Sequence, residues 1–206
     1  MRARLLKAHL LPGKSRAALA AALAVAGLSL VAQGAWIPAK AMLAQILLER
    51  AFASSLTSGR PVKPWSWFDT WPVARIEVPR LHRSLIALEG SSGQALAFGP
   101  GHVAGTPQAG EPGIAVYAAH RDTQFAFLGE VAIGDEIRVT RGDGAVIAFR
   151  VTATSVVPWD DSGLDPSAPG RRLVLSTCWP LHSLVSGPLR YLVEAERMDE
   201  RGVGAG

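Results

Sequence analysis

The chain holds one cysteine, Cys178, and it stands where a thiol can be reached. It follows the apolar run Leu173-Val174-Leu175-Ser176-Thr177, which reads as a strand, and Trp179-Pro180 stops that strand. His120 holds a matching place, after the apolar run Ile114 to Ala119 and before Arg121-Asp122-Thr123. Arg190 opens a further strand. Each residue alone has an ordinary explanation. Most lone cysteines are buried and inert, a histidine at a strand end is most often structural, and a lone arginine is most often solvated. Together they form a set for nucleophilic catalysis. A cysteine nucleophile acts as the thiolate, and a free pKa of about 8.5 leaves little of it at neutral pH. A neighbouring imidazolium stabilises the thiolate and can protonate a leaving amine. A guanidinium, always charged, can hydrogen-bond the oxyanion of a tetrahedral intermediate.

Strands must position such a set, and the body of the chain supplies them. Val73-Ala74-Arg75-Ile76-Glu77-Val78 alternates with period two. Ser84 to Leu88, Gly113 to Ala119, Glu136 to Thr140, Val146 to Val157, Arg172 to Thr177 and Arg190 to Glu194 are further candidate strands. Arg141-Gly142-Asp143-Gly144-Ala145 is a strong hairpin signal between two of them. Seven or eight short strands with turn residues between them imply an all-β sandwich or closed barrel. Phe125 to Val131 reads as a short helix.

The N-terminal part differs in texture. Residues 17 to 39 carry no charge and are mostly apolar, enough for a membrane-spanning helix. Trp36 suits the interface at the far end. Arg2, Arg4, Lys7, Lys14 and Arg16 precede the span, and the first acidic residue is Glu49. The positive-inside rule therefore leaves the N-terminus in the cytoplasm and the body outside. Ala32-Gln33-Gly34 also offers a site for signal-peptide cleavage, but the length of the span favours an anchor. Setting aside those five of the 21 basic residues leaves the rest in near balance with 17 acidic ones. The high pI thus belongs to the tail, and nucleic-acid binding is not indicated. After Pro38, the residues Met42, Leu43, Ile46 and Leu47 form the apolar stripe of a second helix, with Lys40 and Glu49 off it. Trp65, Trp67 and Trp71 punctuate an irregular linker. The expected organisation is a basic cytoplasmic tail over 1–16, an anchor over 17–37, a juxtamembrane helix and linker over 38–70, the β domain over 71–200 and a short tail over 201–206.

Leu175-Ser176-Thr177-Cys178 is similar to the Leu-x-Thr-Cys signature of sortases. Gly187-Pro188-Leu189-Arg190-Tyr191 resembles the segment carrying their essential arginine. Gly99-Pro100-Gly101-His102, Pro112-Gly113 and His120-Arg121-Asp122-Thr123 resemble the stretch leading to their histidine. Trp36 to Ala41 and Asp69 to Arg75 look like the proteobacterial class GN subgroup. Val174 and Ala119 stand where many sortases have Thr and Gly. The resemblance implies a closed, eight-stranded, mostly antiparallel barrel. It implies a cysteine transpeptidase that cleaves an LPxTG-like C-terminal sorting signal of a secreted protein through a thioacyl-enzyme, then passes the acyl group to an amine acceptor in the cell envelope. It makes Cys178 the nucleophile, His120 the general acid and base and Arg190 the oxyanion partner. Thr177, Asp122 and Arg121 become supporting residues, with Asp122 either orienting His120 or Arg121 or capping the following helix. The subgroup implies an inner membrane with the domain in the periplasm. The loops over 159–171 and 179–189 are expected to line the substrate groove.

Other residues carry less. With one cysteine there is no disulfide within the chain and no thiolate cluster for zinc. Asp160-Asp161 and Asp165 lack the full spacing of a calcium loop, so no metal or cofactor is read from the sequence. His182 is expected to face solvent, and His102 to sit in a turn. A cysteine endopeptidase of another class would place Cys before His and open a helix at the Cys. A non-catalytic membrane-anchored β-module binding an envelope partner would leave the three strand-end residues unexplained.

Overall fold

The computed structural model describes residues 13–183, 185 and 187–198. Most of the basic tail expected over 1–16, and all of the tail expected over 201–206, lie outside them. Helix α1 (Gly13–Ser58) takes in both expected helices without a break at Pro38. A proline costs a helix about 3 kcal/mol, and here the flanks are rich in Ala and Leu, the strongest helix formers.

The chain divides into two units between Leu43 and Ala44. In the first, α1 exposes Leu19, Leu23, Leu28, Leu30, Val31 and Trp36, on every side. By length and composition it can cross a membrane.

In the second unit, the end of α1 buries Ala44, Leu48, Ala51, Phe52 and Ser55. This spacing marks one helical face, and it corrects the stripe expected from sequence. Ile46 is exposed, and so are Met42 and Leu43 in the first unit. The helix is apolar on more than one side, so periodicity alone did not select the face. Glu49 borders the buried face and pairs with Arg75. Leu48 and Phe52 pack with Phe68, Ile86 and Leu88, and Trp65 joins them. Trp67 of the same linker stays exposed.

Eight strands follow: β1 (Pro72–Val78), β2 (Arg83–Glu89), β3 (Gly101–His102), β4 (Gly113–Ala118), β5 (Glu136–Arg141), β6 (Val146–Pro158), β7 (Arg171–Trp179) and β8 (Leu189–Arg197). They close into a barrel in the order β1-β2-β3-β4-β7-β8-β6-β5. Only β2–β3 and β4–β7 are parallel. The two-residue β3, and the short helix α2 (Gly93–Phe98) before it, were not legible as elements in the sequence. Strand alternation sorts the side chains. Tyr117, Ala119, Leu173, Leu175 and Val193 point into the barrel core. Their neighbours Ile114, Val116, Val174 and Leu192 form a separate cluster on the outer face, under Leu164 and Ala168 of the loop over 159–170. Each such side chain, once covered, contributes about 1.5–3 kcal/mol.

Two local expectations are corrected. His102 is no turn residue: it belongs to β3 and is 3% exposed. Its Nε2 meets the Pro107 carbonyl oxygen at 3.0 Å and Thr106 Oγ1 at 3.2 Å. The expected helix over 125–131 is a 3₁₀ helix, Ala126–Glu130, preceded by Phe125 with no side-chain cap, so Asp122 does not cap it.

Candidate active site

β7 runs between β4 on one side and β8 on the other. Its last residues carry the site. Cys178 lies directly opposite Arg190 in the antiparallel β7–β8 ladder, and opposed residues project from the same face with Cβ atoms about 5 Å apart. On the other side the parallel register pairs Ala118 with Ser176. The Ala119 N–H then donates to the Ser176 carbonyl at 3.1 Å. His120 and Cys178 each lie two residues beyond the Ala118–Ser176 pair, so the same register, carried on, brings them level.

Parity selects the face. Thr177 and Ala119 point inward and are buried. Cys178, His120 and Arg190 follow the outward parity of Val174, Val116 and Leu192. One outer face, at one end of three adjacent strands, therefore presents all three. Cys178 is half-buried and in no disulfide. His120 is exposed. Arg190 is half-buried, and its Nη1 donates to the main-chain carbonyls of Leu189 at 3.0 Å and Gly187 at 3.3 Å. Among the described residues no carboxylate pairs with it, so its charge is free to meet a developing anion.

The supporting residues separate. Thr177 Oγ1 donates to the Ala119 carbonyl at 2.8 Å inside the barrel. It thus ties the residue before the cysteine to the residue before the histidine. Arg121 Nη2 donates to the Val185 carbonyl at 2.8 Å, fastening the loop after β7 to the end of β4. Asp122 is exposed and, among the described residues, makes no hydrogen bond to His120 or Arg121.

The flanking loops are held close. The Trp159 N–H donates to the Pro188 carbonyl at 2.8 Å, and the Ile114 N–H to the Pro166 carbonyl at 3.1 Å. At Gly113, with φ of +113°, a Cβ would lie 2.3 Å from the Pro166 oxygen, so only glycine lets the loop over 159–170 lie on β4. Trp179 stacks on Tyr191 with ring centroids 5.7 Å apart. A cleft of about 520 Å³ opens beside Trp179, between the 3₁₀ helix after His120 and the loop after Cys178. Gly129, Glu130, Leu181 and His182 line it. His182 is exposed, as expected, yet it faces this cleft. Sequence reasoning missed Gly129 and Glu130, which carry no motif and enter only through the fold. Another cleft, of about 250 Å³, lies by Pro61, Trp71 and Arg141, and neither cleft is lined by Cys178, His120 or Arg190 themselves.

The fold has known counterparts. Residues 76–198 match the sortase domain family. Sortase D of Bacillus subtilis is 29% identical over 124 residues, covering 60% of this chain. The match spans 62% of that relative's length. Sortase E of Streptomyces avermitilis, at 29% identity, superposes with a TM-score of 0.52 over 62% of this chain and 88% of the other. A Clostridium perfringens sortase D5 transpeptidase, at 19% identity, shares the fold alone, with a TM-score of 0.61 over 77% of this chain and 99% of the other. The matched family segment takes in His120, Cys178 and Arg190 together with nearly all of the barrel that holds them, and on that ground the chain belongs to the sortase family.

Proposed function

We propose that the protein is a membrane-anchored cysteine transpeptidase. One observation carries this reading: Cys178 and Arg190 are ladder partners, and His120 lies two residues past the end of β4, the strand on the other side of β7. The substrate is a secreted protein with an LPxTG-like C-terminal sorting signal. The Cys178 thiolate adds to the carbonyl carbon of the scissile bond, and Arg190 hydrogen-bonds the oxyanion that forms. The C–N bond breaks as His120 passes its proton to the departing amine. A thioester on Cys178 remains. An acceptor amine then adds to it, His120 takes a proton from the nitrogen, and the C–S bond breaks with its electron pair left on sulfur.

The segments Trp36 to Ala41 and Asp69 to Arg75 support the proteobacterial class GN subgroup. With it go the inner membrane and a periplasmic catalytic domain, in accord with the basic cluster Arg2, Arg4, Lys7, Lys14 and Arg16 before the span against Lys40 alone close after it.

The test uses the full chain in detergent, a panel of LPxTG-like peptides and intact-mass detection. The expected result is an acyl adduct on the wild type, none on Cys178→Ala, and loss of the adduct when an amine is added. A folded protein that forms no adduct with any peptide, and whose thiol resists alkylation, would overturn the assignment in favour of a binding module.

A further inference from the structure

We infer that the 250 Å³ cleft beside Trp71 is a sugar-binding site that takes one ring of a saccharide. The inference does not depend on the transpeptidase reading. The cleft lies at the end of the barrel away from Cys178. β7 ends and β8 begins around the Cys178–Arg190 pair. From there β8 runs down β6, from Leu189 opposite Pro158 to Arg197 opposite Phe149. The turn that joins β5 to β6 therefore sits at the far end, and its residues Arg141 to Asp143 form one wall of the cleft. A ligand held there leaves the catalytic end uncovered.

The walls are fixed before any ligand arrives. Pro61 and Pro72 each set their own φ. Ser55 Oγ accepts from the Val62 N–H at 3.0 Å, which ties the turn after α1 back to the helix. The Trp71 carbonyl accepts from the Glu89 N–H at 2.9 Å, and the Val73 carbonyl from the Gly142 N–H at 2.8 Å. Arg141 is paired with Asp143 and reaches Glu111 at 3.5 Å. The Gln108 N–H donates to the Glu111 carboxylate at 3.1 Å.

Polar groups on these walls are left unspent. Gln108 turns its amide nitrogen to His102 Nδ1 at 3.5 Å, and its amide oxygen has no partner among the described residues. The same holds for the Trp71 indole N–H and for the exposed Arg60 guanidinium. The charges around the cleft balance: Arg60 and Arg141 stand against Asp143 and Glu111. An anion would compete with two carboxylates for Arg141, and a cation would meet two guanidinium groups. The fitting ligand is neutral, donates and accepts from neighbouring atoms, and has an apolar face. A sugar ring meets all three conditions. Each hydroxyl both donates and accepts, so adjacent hydroxyls can serve the Gln108 oxygen and Arg60, while the C–H face of the ring lies on Trp71 and Val73. A peptide also carries donors and acceptors, but a closed barrel has no strand edge for it to extend. The volume, below the range of about 300–1,000 Å³ for sites of drug-sized ligands, suits a single ring.

The experiment uses the full chain, labelled with 5-fluorotryptophan, in a detergent whose headgroup is not a sugar. Chitotriose and cellotriose are titrated while fluorine NMR follows the Trp71 and Trp179 signals, assigned by their loss in Trp71→Tyr and Trp179→Tyr. The expected result is a saturable shift of the Trp71 signal at millimolar sugar, with the Trp179 signal beside the thiol unmoved. Arg60→Ala changes an exposed side chain and should raise the half-saturating concentration about two- to tenfold. By saturation transfer to the sugar, Trp71→Ala should bind roughly three- to tenfold more weakly, and Trp71→Tyr, which keeps a flat ring, close to the wild type. No saturable shift with either saccharide would overturn the inference. So would binding that neither Arg60→Ala nor Trp71→Ala weakens. A Trp71 shift produced by sodium phosphate or by a proline-rich peptide, and by neither sugar, would overturn it in favour of those ligands.

Discussion

Thr177→Val is the most informative change to the site, because it keeps shape and removes one hydrogen bond. Thr177 is 2% exposed, and its hydroxyl donates to the Ala119 carbonyl at 2.8 Å. Valine fills nearly the same volume, so no cavity opens. The loss is the hydrogen bond itself, about 1 kcal/mol, together with up to about 2 kcal/mol for a carbonyl left underpartnered in the barrel. For a domain of this size that corresponds to a Tm lower by roughly 3–8 °C. Catalysis should suffer more. The bond links the residues just before Cys178 and His120, so its loss loosens the spacing of nucleophile and base, and a misplacement near 1 Å costs about 100-fold in rate. The assay pairs thermal melting with the rate of peptide cleavage. Thr177→Ser serves as the control, since it keeps the hydroxyl and should recover most of the rate. A Thr177→Val protein that cleaves and melts like the wild type would refute this account, and so would a Thr177→Ser protein as slow as Thr177→Val.

Three further changes follow from the same geometry. Arg190→Lys keeps the charge but not the planar fork of donors; it should lower kcat about 10- to 100-fold with a small change in KM, as loss of an oxyanion donor does. Gly113→Ala forces a side chain into positive φ at about 1–3 kcal/mol and pushes the Pro166 loop off β4, so peptide KM should rise together with a fall in Tm. Asp135 is held below the ordinary carboxylate range first by its hydrogen bond from Arg80 and then by the Ala132 N–H. A depressed folded-state value means that this stability is complete above the unfolded carboxylate pKa, about 4, and is lost as pH falls through the folded value. Asp135→Asn should therefore cost about 1–2 kcal/mol at neutral pH, allowing for solvent around the half-exposed Arg80, and flatten the fall of urea midpoint below pH 4.

Strand residues announced themselves because their chemistry repeats every second position. Val73 to Val78 reads directly as a strand buried on one face, and β1 shows that alternation throughout. The hairpin at Arg141 to Ala145 was equally plain, since Gly144 takes positive φ there. β3 was not, because two residues have no period and exist as a strand only by pairing with β2 and β4. His102 went the same way: its Gly-Pro-Gly approach reads as a turn, and burial came from the strands that close over it. The packing face of α1 was misjudged because apolar residues surround it. In the site, Cys178, His120 and Arg190 were legible as residue types at strand ends. The purpose of Thr177 and Arg121 was not, since each acts on a main-chain carbonyl far away in sequence, Ala119 and Val185.

The placement of the site follows from closure of the barrel more than from any contact among the three residues. In a strand, parity alone decides whether a side chain meets the core or the surface. Cys178 and Arg190 share the outward parity on β7 and β8, His120 keeps the same phase two residues past β4, and the inward positions beside them hold Thr177, Ala119 and Tyr191. Slipping any one strand by a single residue would turn its reactive group toward the barrel and bring a buried side chain out in its place. The core therefore enforces the geometry of the site. Leu173, Leu175, Tyr117 and Val193 hold the register, and the outer cluster of Ile114, Val116, Val174 and Leu192 seats the loop over 159–170 beside the thiol. The inner residues fix where the reactive atoms are, and the outer ones fix what can reach them. Strand register and loop seating thus rest on opposite faces of the same three strands.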